Sequence, residues 1–191
     1  MSRNSICHAL VLRTVDIGEA DRFCVLLTRE RGKLAASVPG ARRPGSSMGG
    51  HLLVGRFAIV EIKESRSGLR VTSAQPLPKR THDAHDIRGF AKAQQGMELL
   101  LRLLQDDEPL PEIFDATVEF VDLCADADKD PYVPYGLRLL VLLGLLPHDH
   151  PAFNAPADAR ALLLEQMLGE QIGSPMRSKA VADALVSSCA Q

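Results

Sequence analysis

Three stretches carry the residue types that chemistry uses. Gly45-Ser46-Ser47-Met48-Gly49 fits G-x-S-x-G, the turn that presents a nucleophilic serine in α/β hydrolases. That turn must follow a strand and open a helix. Here Arg42-Arg43-Pro44 precedes it and a strand-like run follows, so the flanks argue against a small serine hydrolase acting through Ser47. His148-Asp149-His150 and His82-Asp83-Ala84-His85 offer imidazoles, yet neither has a third ligand at metal-site spacing, and no metal or cofactor is expected. There is no P-loop, dinucleotide fingerprint or pair of spaced carboxylates. No catalytic residue is expected, and the chain reads as a non-enzyme.

The third stretch is Gly40-Ala41-Arg42-Arg43-Pro44-Gly45-Ser46-Ser47, two fixed cations among residues too small or too flexible for a core. Such a loop suits a phosphate backbone, where the position of charge matters more than a shaped pocket. It belongs to a wider imbalance. The net charge of -2 is the sum of a front half, residues 1–80, with 14 Lys and Arg against 6 Asp and Glu, and a rear half, 81–191, with 8 against 18. An excess of that size in the front half exceeds what solubility needs and points to nucleic acid there. The cations expected to meet phosphate are Arg13, Arg29, Arg31, Lys33, Arg42, Arg43, Arg56, Lys63, Arg66 and Arg70, with Arg42 and Arg43 foremost because no acid lies near them in sequence. Glu19, Asp21 and Glu30 are candidates to pair with some of the others. Before Thr81 the only aromatics are Phe23 and Phe57. Base stacking, worth about 1–3 kcal/mol per base in single-strand binders, is therefore largely missing, and binding should be indifferent to sequence and sensitive to salt.

Short apolar runs between turn signals position these cations. His8–Thr14, Arg22–Thr28, Lys33–Pro39, an alternating Leu52–Glu64 and Leu69–Ala74 read as five strands. Five strands in that span fit an OB-type barrel, an SH3-like barrel or a five-stranded sheet. Gln75-Pro76-Leu77-Pro78 ends the block, which sets domains at 1–80 and 81–191. Helical signals then take over. They run from Asp83 as N-cap through Ala91, Met97, Leu100 and Leu104; from about Glu112 to Cys124; from Tyr135 to Leu146, stopped by Pro147; after Pro156; and from Ser174-Pro175 to about Ser188. The class is therefore α+β, a barrel followed by an all-α bundle.

At 46% hydrophobic and 24% charged the composition is that of a globular protein. Cys7, Cys24, Cys124 and Cys189 are scattered, which suggests buried thiols rather than disulfides. Residues 1–7 hold no apolar signal region, and the longest apolar run, Leu139–Leu146, is far short of the ~20 residues a membrane helix needs. A cytoplasmic address and no membrane contact are expected.

The run VLRTVDIGEADRFCVLLTRERGKLAASVPGARRPGSS, Val11 to Ser47, resembles the N-terminal strand block of the RecO family of recombination mediators. Leu137–Pro147 and Gly173–Lys179 resemble that family's helical half, so the likeness spans nearly the whole chain. The resemblance selects the OB fold and implies a DNA-repair mediator, nucleoid-associated, that binds single-stranded and duplex DNA without sequence preference. It implies annealing of complementary strands and loading of recombinase onto protein-coated single strands. The partners it implies are a RecR-like ring protein and the C-terminal tail of single-strand binding protein. That acidic, Phe-ended tail would need an apolar notch in the helical half edged by Arg102, Arg138 or Arg160. Many family members carry a cysteine cluster after the position of Pro147. Here His148-Asp149-His150 follows and the next segment is short, so a metal-stapled subdomain is not expected. The alternative is a barrel-plus-bundle adaptor that binds RNA or only protein.

Overall fold

The computed structural model describes residues 4–78, 87–126 and 128–172. Five strands, β1 (Asn4–Ile17), β2 (Asp21–Thr28), β3 (Gly32–Val38), β4 (Phe57–Ser65) and β5 (Gly68–Pro76), close into a barrel in the order β1-β2-β3-β5-β4. All pairings are antiparallel except a short parallel contact of β3 with β5. With the short helix α1 (Ser47–His51) between β3 and β4, this is an OB barrel. Its interior is filled by small and branched side chains, among them Cys24, Ala36, Val38, Ala58, Val60 and Ile62, which suits a narrow closed sheet.

A β-bulge between Val11 and Arg13 decides which side chains face out. Before it, Cys7, Ala9 and Val11 point into the core. After it Thr14 pairs with interior Cys24, while Arg13, Val15 and Ile17 stand exposed. One extra residue thus turns the odd-numbered side of β1 from core to solvent. A second bulge at Glu61/Ile62 puts Ala74 inside.

The expected strand from Leu52 begins instead at Phe57. The alternation of 52–56 is coincidental. Leu52 is fully buried just beyond α1, and Gly55, at φ 82°, turns the chain before β4 starts. β5 runs on through Pro76, which the expected stop at Gln75 did not allow.

The helical half is built from α2 (Ile87–Leu103), α3 (Pro111–Cys124), α4 (Tyr132–Leu142) and α5 (Ala157–Ile172), with a 3-10 turn at Pro151–Asn154. Ala93, Met97 and Leu100 of α2 are buried at helical spacing. Gly96 lies where an added Cβ would meet the Phe120 ring, and that ring stacks on Tyr135 at 4.1 Å. Thr117 and Tyr135 share a hydrogen bond of 2.8 Å through their hydroxyls, so the buried phenol is satisfied. The third helix does not run to Leu146. Gly144 adopts φ 71°, its N–H reaches the Val141 carbonyl and the Leu145 N–H reaches that of Leu140, a glycine cap that closes α4 before Pro147. The expected helix after Ser174 lies outside the described residues.

Compactness divides the chain into Met1–Asp83 with Leu104–Phe114, and Ala84–Leu103 with Asp115–Gln191. The α2–α3 connection and the first turn of α3 therefore belong with the barrel. Phe114 meets Phe57 edge-on at 6.3 Å, and Leu10, cross-strand neighbour of both Leu27 and Phe57, is buried on the barrel's outside. Among the described residues no helix is long and apolar enough to cross a membrane.

Burial raises the Cys24 thiol from 9.0 to about 11 and that of Cys124 to about 12, and it lifts Tyr132 from 10.0 to about 12. The unfolded chain releases these protons first. Stability should thus be complete below pH about 9 and fall as pH rises towards about 12. Urea midpoints that hold constant across that range would contradict this.

Candidate nucleic-acid interface

Register assembles one outward row around the barrel. Val15 lies opposite Phe23, Phe23 opposite Ser37, Ser37 opposite Arg70, Arg70 opposite Lys63, and Lys63 opposite Asn4. Paired residues on neighbouring strands share a face. The row thus holds a half-buried aromatic, a hydroxyl and two exposed cations. Arg66, in the turn between β4 and β5, places a third cation beside them. Arg13 borders the same surface, opposite Val25, which is in turn opposite Ala35. The β1-to-β5 span is three strand spacings, roughly 14 Å along the sheet.

Lys63 and Arg70 are like charges directly opposite each other, an arrangement that destabilises a sheet. Neither makes a side-chain hydrogen bond or ion pair with any described residue, and the same holds for Arg13, Arg43 and Arg66. Five cations therefore have no side-chain partner among the described residues, three of them in one hairpin. An anion laid over β4 and β5 relieves the repulsion, which is the chemical work this surface can do.

The other expected cations are held by neighbours. Arg42 has no acid near it in sequence, but folding brings Asp16 of β1 to 3.3 Å from its Nε, and its Nη1 donates to the Gly18 carbonyl at 2.8 Å. Asp16 also takes Arg22 at 2.9 Å, so one carboxylate ties the β3–α1 loop to the end of β1. Arg31 pairs with Glu64 at 3.0 Å and Asp107 at 3.6 Å, and Lys33 pairs with Asp106 at 3.2 Å. Arg29 and Arg56 are each engaged by further contacts. Arg43 stays exposed, with its aliphatic stem over Gly40. Phe23 is the contributor that sequence reasoning undervalued. It counted there as one of two scarce aromatics, and only the register sets it in line with Arg70.

In the helical half, Ala116, Phe120, Leu123, Pro131, Pro134 and Tyr135 floor a cavity of about 330 Å³, with Glu119, Lys129, Asp130 and Arg138 at its edge. Arg138 pairs with Glu119, and Lys129 pairs with Asp126 at 3.0 Å. Of the three expected partner-site cations only Arg138 lines this cavity. Arg102 is paired with Glu98 at 2.6 Å, one helical turn away, and the Nε of Arg160 is buried without a hydrogen-bond partner among the described residues. Lys129 was not foreseen. It sits in an acidic stretch, where its own charge is masked in sequence.

Among the described residues the enzyme-like stretches do not come together. Ser47 opens α1 rather than a strand, but the loop 39–46 separates it from β3, and its hydroxyl makes no hydrogen bond with a described residue. His150 accepts the Ala152 N–H at 3.2 Å and so caps the 3-10 turn. His82 and His85 lie outside the described residues. Among the described residues no three His, Cys, Asp or Glu gather as a metal site would require.

Comparison with known proteins fits this geometry. The profile described as recombination protein O N terminal matches residues 1–77, and the one described as recombination protein O C terminal matches 84–150. The chain is 35% identical over 144 residues to DNA repair protein RecO of Exiguobacterium sibiricum, covering 74% of this chain and 57% of that protein. It is 34% identical over 142 residues to the protein of the same name in Myxococcus xanthus, covering 73% and 58%, and 33% over 154 residues to that of Synechococcus elongatus, covering 78% and 58%. The chain thus spans somewhat more than half the length of the curated relatives it matches.

If the Lys63–Arg70 opposition is uncompensated, Lys63→Glu will raise stability, by about 0.2–1 kcal/mol on the scale of cross-strand charge pairs. Thermal melts of the two proteins check it, and a Tm equal to or below that of the parent would show the charges already screened.

Proposed function

The chain belongs to the recombination protein O family, and from that premise we propose that it is a DNA-repair mediator without catalytic activity of its own. Its barrel holds single-stranded and duplex DNA through phosphates, brings complementary strands together, and helps load recombinase onto protein-coated single strands. The observation that carries this reading is the pair of cations Lys63 and Arg70 in register with Phe23, with Arg66 in the turn of the same hairpin.

The mechanism follows from what the surface offers. Cations neutralise phosphate repulsion without occupying base edges, so two strands can approach with their pairing faces free. A single half-exposed ring gives one stacking platform, too few to read or sequester a run of bases. With five bare cations as the contact set, the dependence of log K on log salt should have a slope of about -3.5 on single strands and about -4.5 on duplex.

Replacing Lys63, Arg66 and Arg70 together by Ala should weaken binding to an unstructured oligonucleotide at least tenfold at low salt. It should also flatten the single-strand slope by about 2. Fluorescence anisotropy over a salt series measures both, and strand annealing should slow in parallel. Unchanged affinity and slope would remove the reading. Binding to RNA with none to DNA would favour an RNA adaptor.

The helical half serves a partner in the same proposal. The acidic, Phe-ended tail of single-strand binding protein suits the cavity between α3 and α4, its ring on Phe120, Leu123 and Tyr135 and its carboxylates towards Lys129 and Arg138. Leu123 is exposed at this site, so changing it removes apolar contact without opening the core. Leu123→Asp should abolish capture of a tail peptide and leave DNA affinity as it was. Retained capture would move the docking site elsewhere. A RecR-like ring protein is the other partner proposed, and no surface is assigned to it.

A further inference from the structure

The segment Leu104–Leu110 joins α2 to α3, yet it lies along β3. The Asp107 N–H donates to the Lys33 carbonyl at 2.8 Å, and Asp106 forms a parallel bridge with Lys33. The approach is close. Gly32, at φ 72°, sits where any Cβ would strike the Glu108 carbonyl, so the glycine is required both by its own turn and by the crossing chain. Leu104 at one end and Ile113 and Phe114 at the other are buried, with Phe114 on Phe57. Between these anchors Asp106, Asp107 and Glu108 remain exposed.

The carboxylates of this strap face two cations of the barrel, Asp106 on Lys33 and Asp107 on Arg31, with Glu64 as a second partner of Arg31. From Leu104 to Phe114 the chain has four carboxylates and no cation. Only 12% of the Lys33 side chain reaches solvent, whereas 67% of that of Asp106 does. Lys33 neighbours Leu27 on β2 and lies three residues along β3 from the strand's contact with β5. Lys33 is therefore on β3, a strand that also contributes to the bare row, and Arg31 lies in the turn just before it.

We infer that the 104–110 strap is an internal competitor for the nucleic-acid surface: its carboxylates occupy Arg31 and Lys33 as phosphates would, and a bound strand displaces them to enlarge the contact. This inference rests on the barrel binding DNA. The strap is suited to the role because its ends are fixed by buried side chains while its middle is held by ion pairs whose carboxylates lie in solvent and by a strand-like hydrogen bond from the Asp107 N–H. Polyphosphate presents many charges at once and can replace two carboxylates without unfolding the anchors. The device would keep free protein from occupying weak polyanions at full strength, and would make affinity rise with the length of strand engaged.

The test uses the full chain and labelled oligothymidine over a salt series, with four proteins: the parent, Asp106→Asn with Asp107→Asn, Arg31→Gln with Lys33→Gln, and all four changes together. The strap variant should bind several-fold tighter at low salt, with a slope steeper by at least about 0.7, the contribution of one more phosphate contact at Lys33 on a single strand, since Arg31 keeps Glu64. Arg31→Gln with Lys33→Gln should change little in the parent and cancel the whole gain in the strap variant. Equal affinity and slope for parent and strap variant, in a parent that binds, would overturn the strap and leave the mediator reading intact. So would an equal loss from the cation changes in both backgrounds, since the carboxylates would then not be competing for those cations. Absence of binding by all four proteins would overturn both. Hydrogen exchange of the Asp107 amide gives an independent reading in the parent: saturating oligonucleotide should speed it, and unchanged protection would overturn displacement.

Discussion

Lys63 and Arg70 face each other across β4 and β5 of a closed barrel. The two-residue turn Arg66-Ser67 sets their register, and closure of the barrel adds to that constraint. Here β4 is fixed on one side by β1 and on the other by β5, and a slip of one residue would turn Val60 and Ile62 out of the core. The burial of small apolar side chains inside thus holds a repulsive pair outside. A polyanion laid over the pair would remove the repulsion.

The same closure explains how a chain with few aromatics and scattered cations produces a surface. Arg13 reaches the outside because of the bulge beside it, and Phe23 meets Arg70 only through β3. Elsewhere cations are taken up by structure. Asp16 gathers Arg22 and Arg42 at the end of β1, and the acidic α2–α3 connection covers Arg31 and Lys33. The basic excess of the front half is therefore divided between a part that holds the barrel together and a part left for a ligand.

What was legible in the sequence follows the range of the interactions concerned. The five strands, the helices α2, α3 and α5 and the charge imbalance depend on local period and composition, and they emerge from reading residues in order. Arg42 looked bare because its acid, Asp16, is distant in sequence. The same is true of Asp106 and Lys33, which meet only when the α2–α3 connection returns to the barrel. The end of α4 was misplaced for a different reason. Pro147 is a strong stop signal, but Gly144 acts earlier through a cap whose hydrogen bonds are local and whose glycine stood inside an apolar run. The alternation of 52–56 imitated a strand because Leu52 and Val54 fall in phase with Val60 and Ile62, while Gly55 marked the turn.

The most direct test of the central claim is a nuclear magnetic resonance titration of the whole chain with oligothymidine, following backbone and arginine side-chain signals. The account predicts the largest shifts at Phe23, Ser37, Lys63, Arg66 and Arg70, with Arg22 and Arg42 nearly still. Shifts centred on Arg42 and Asp16, with the β4–β5 hairpin unmoved, would contradict it.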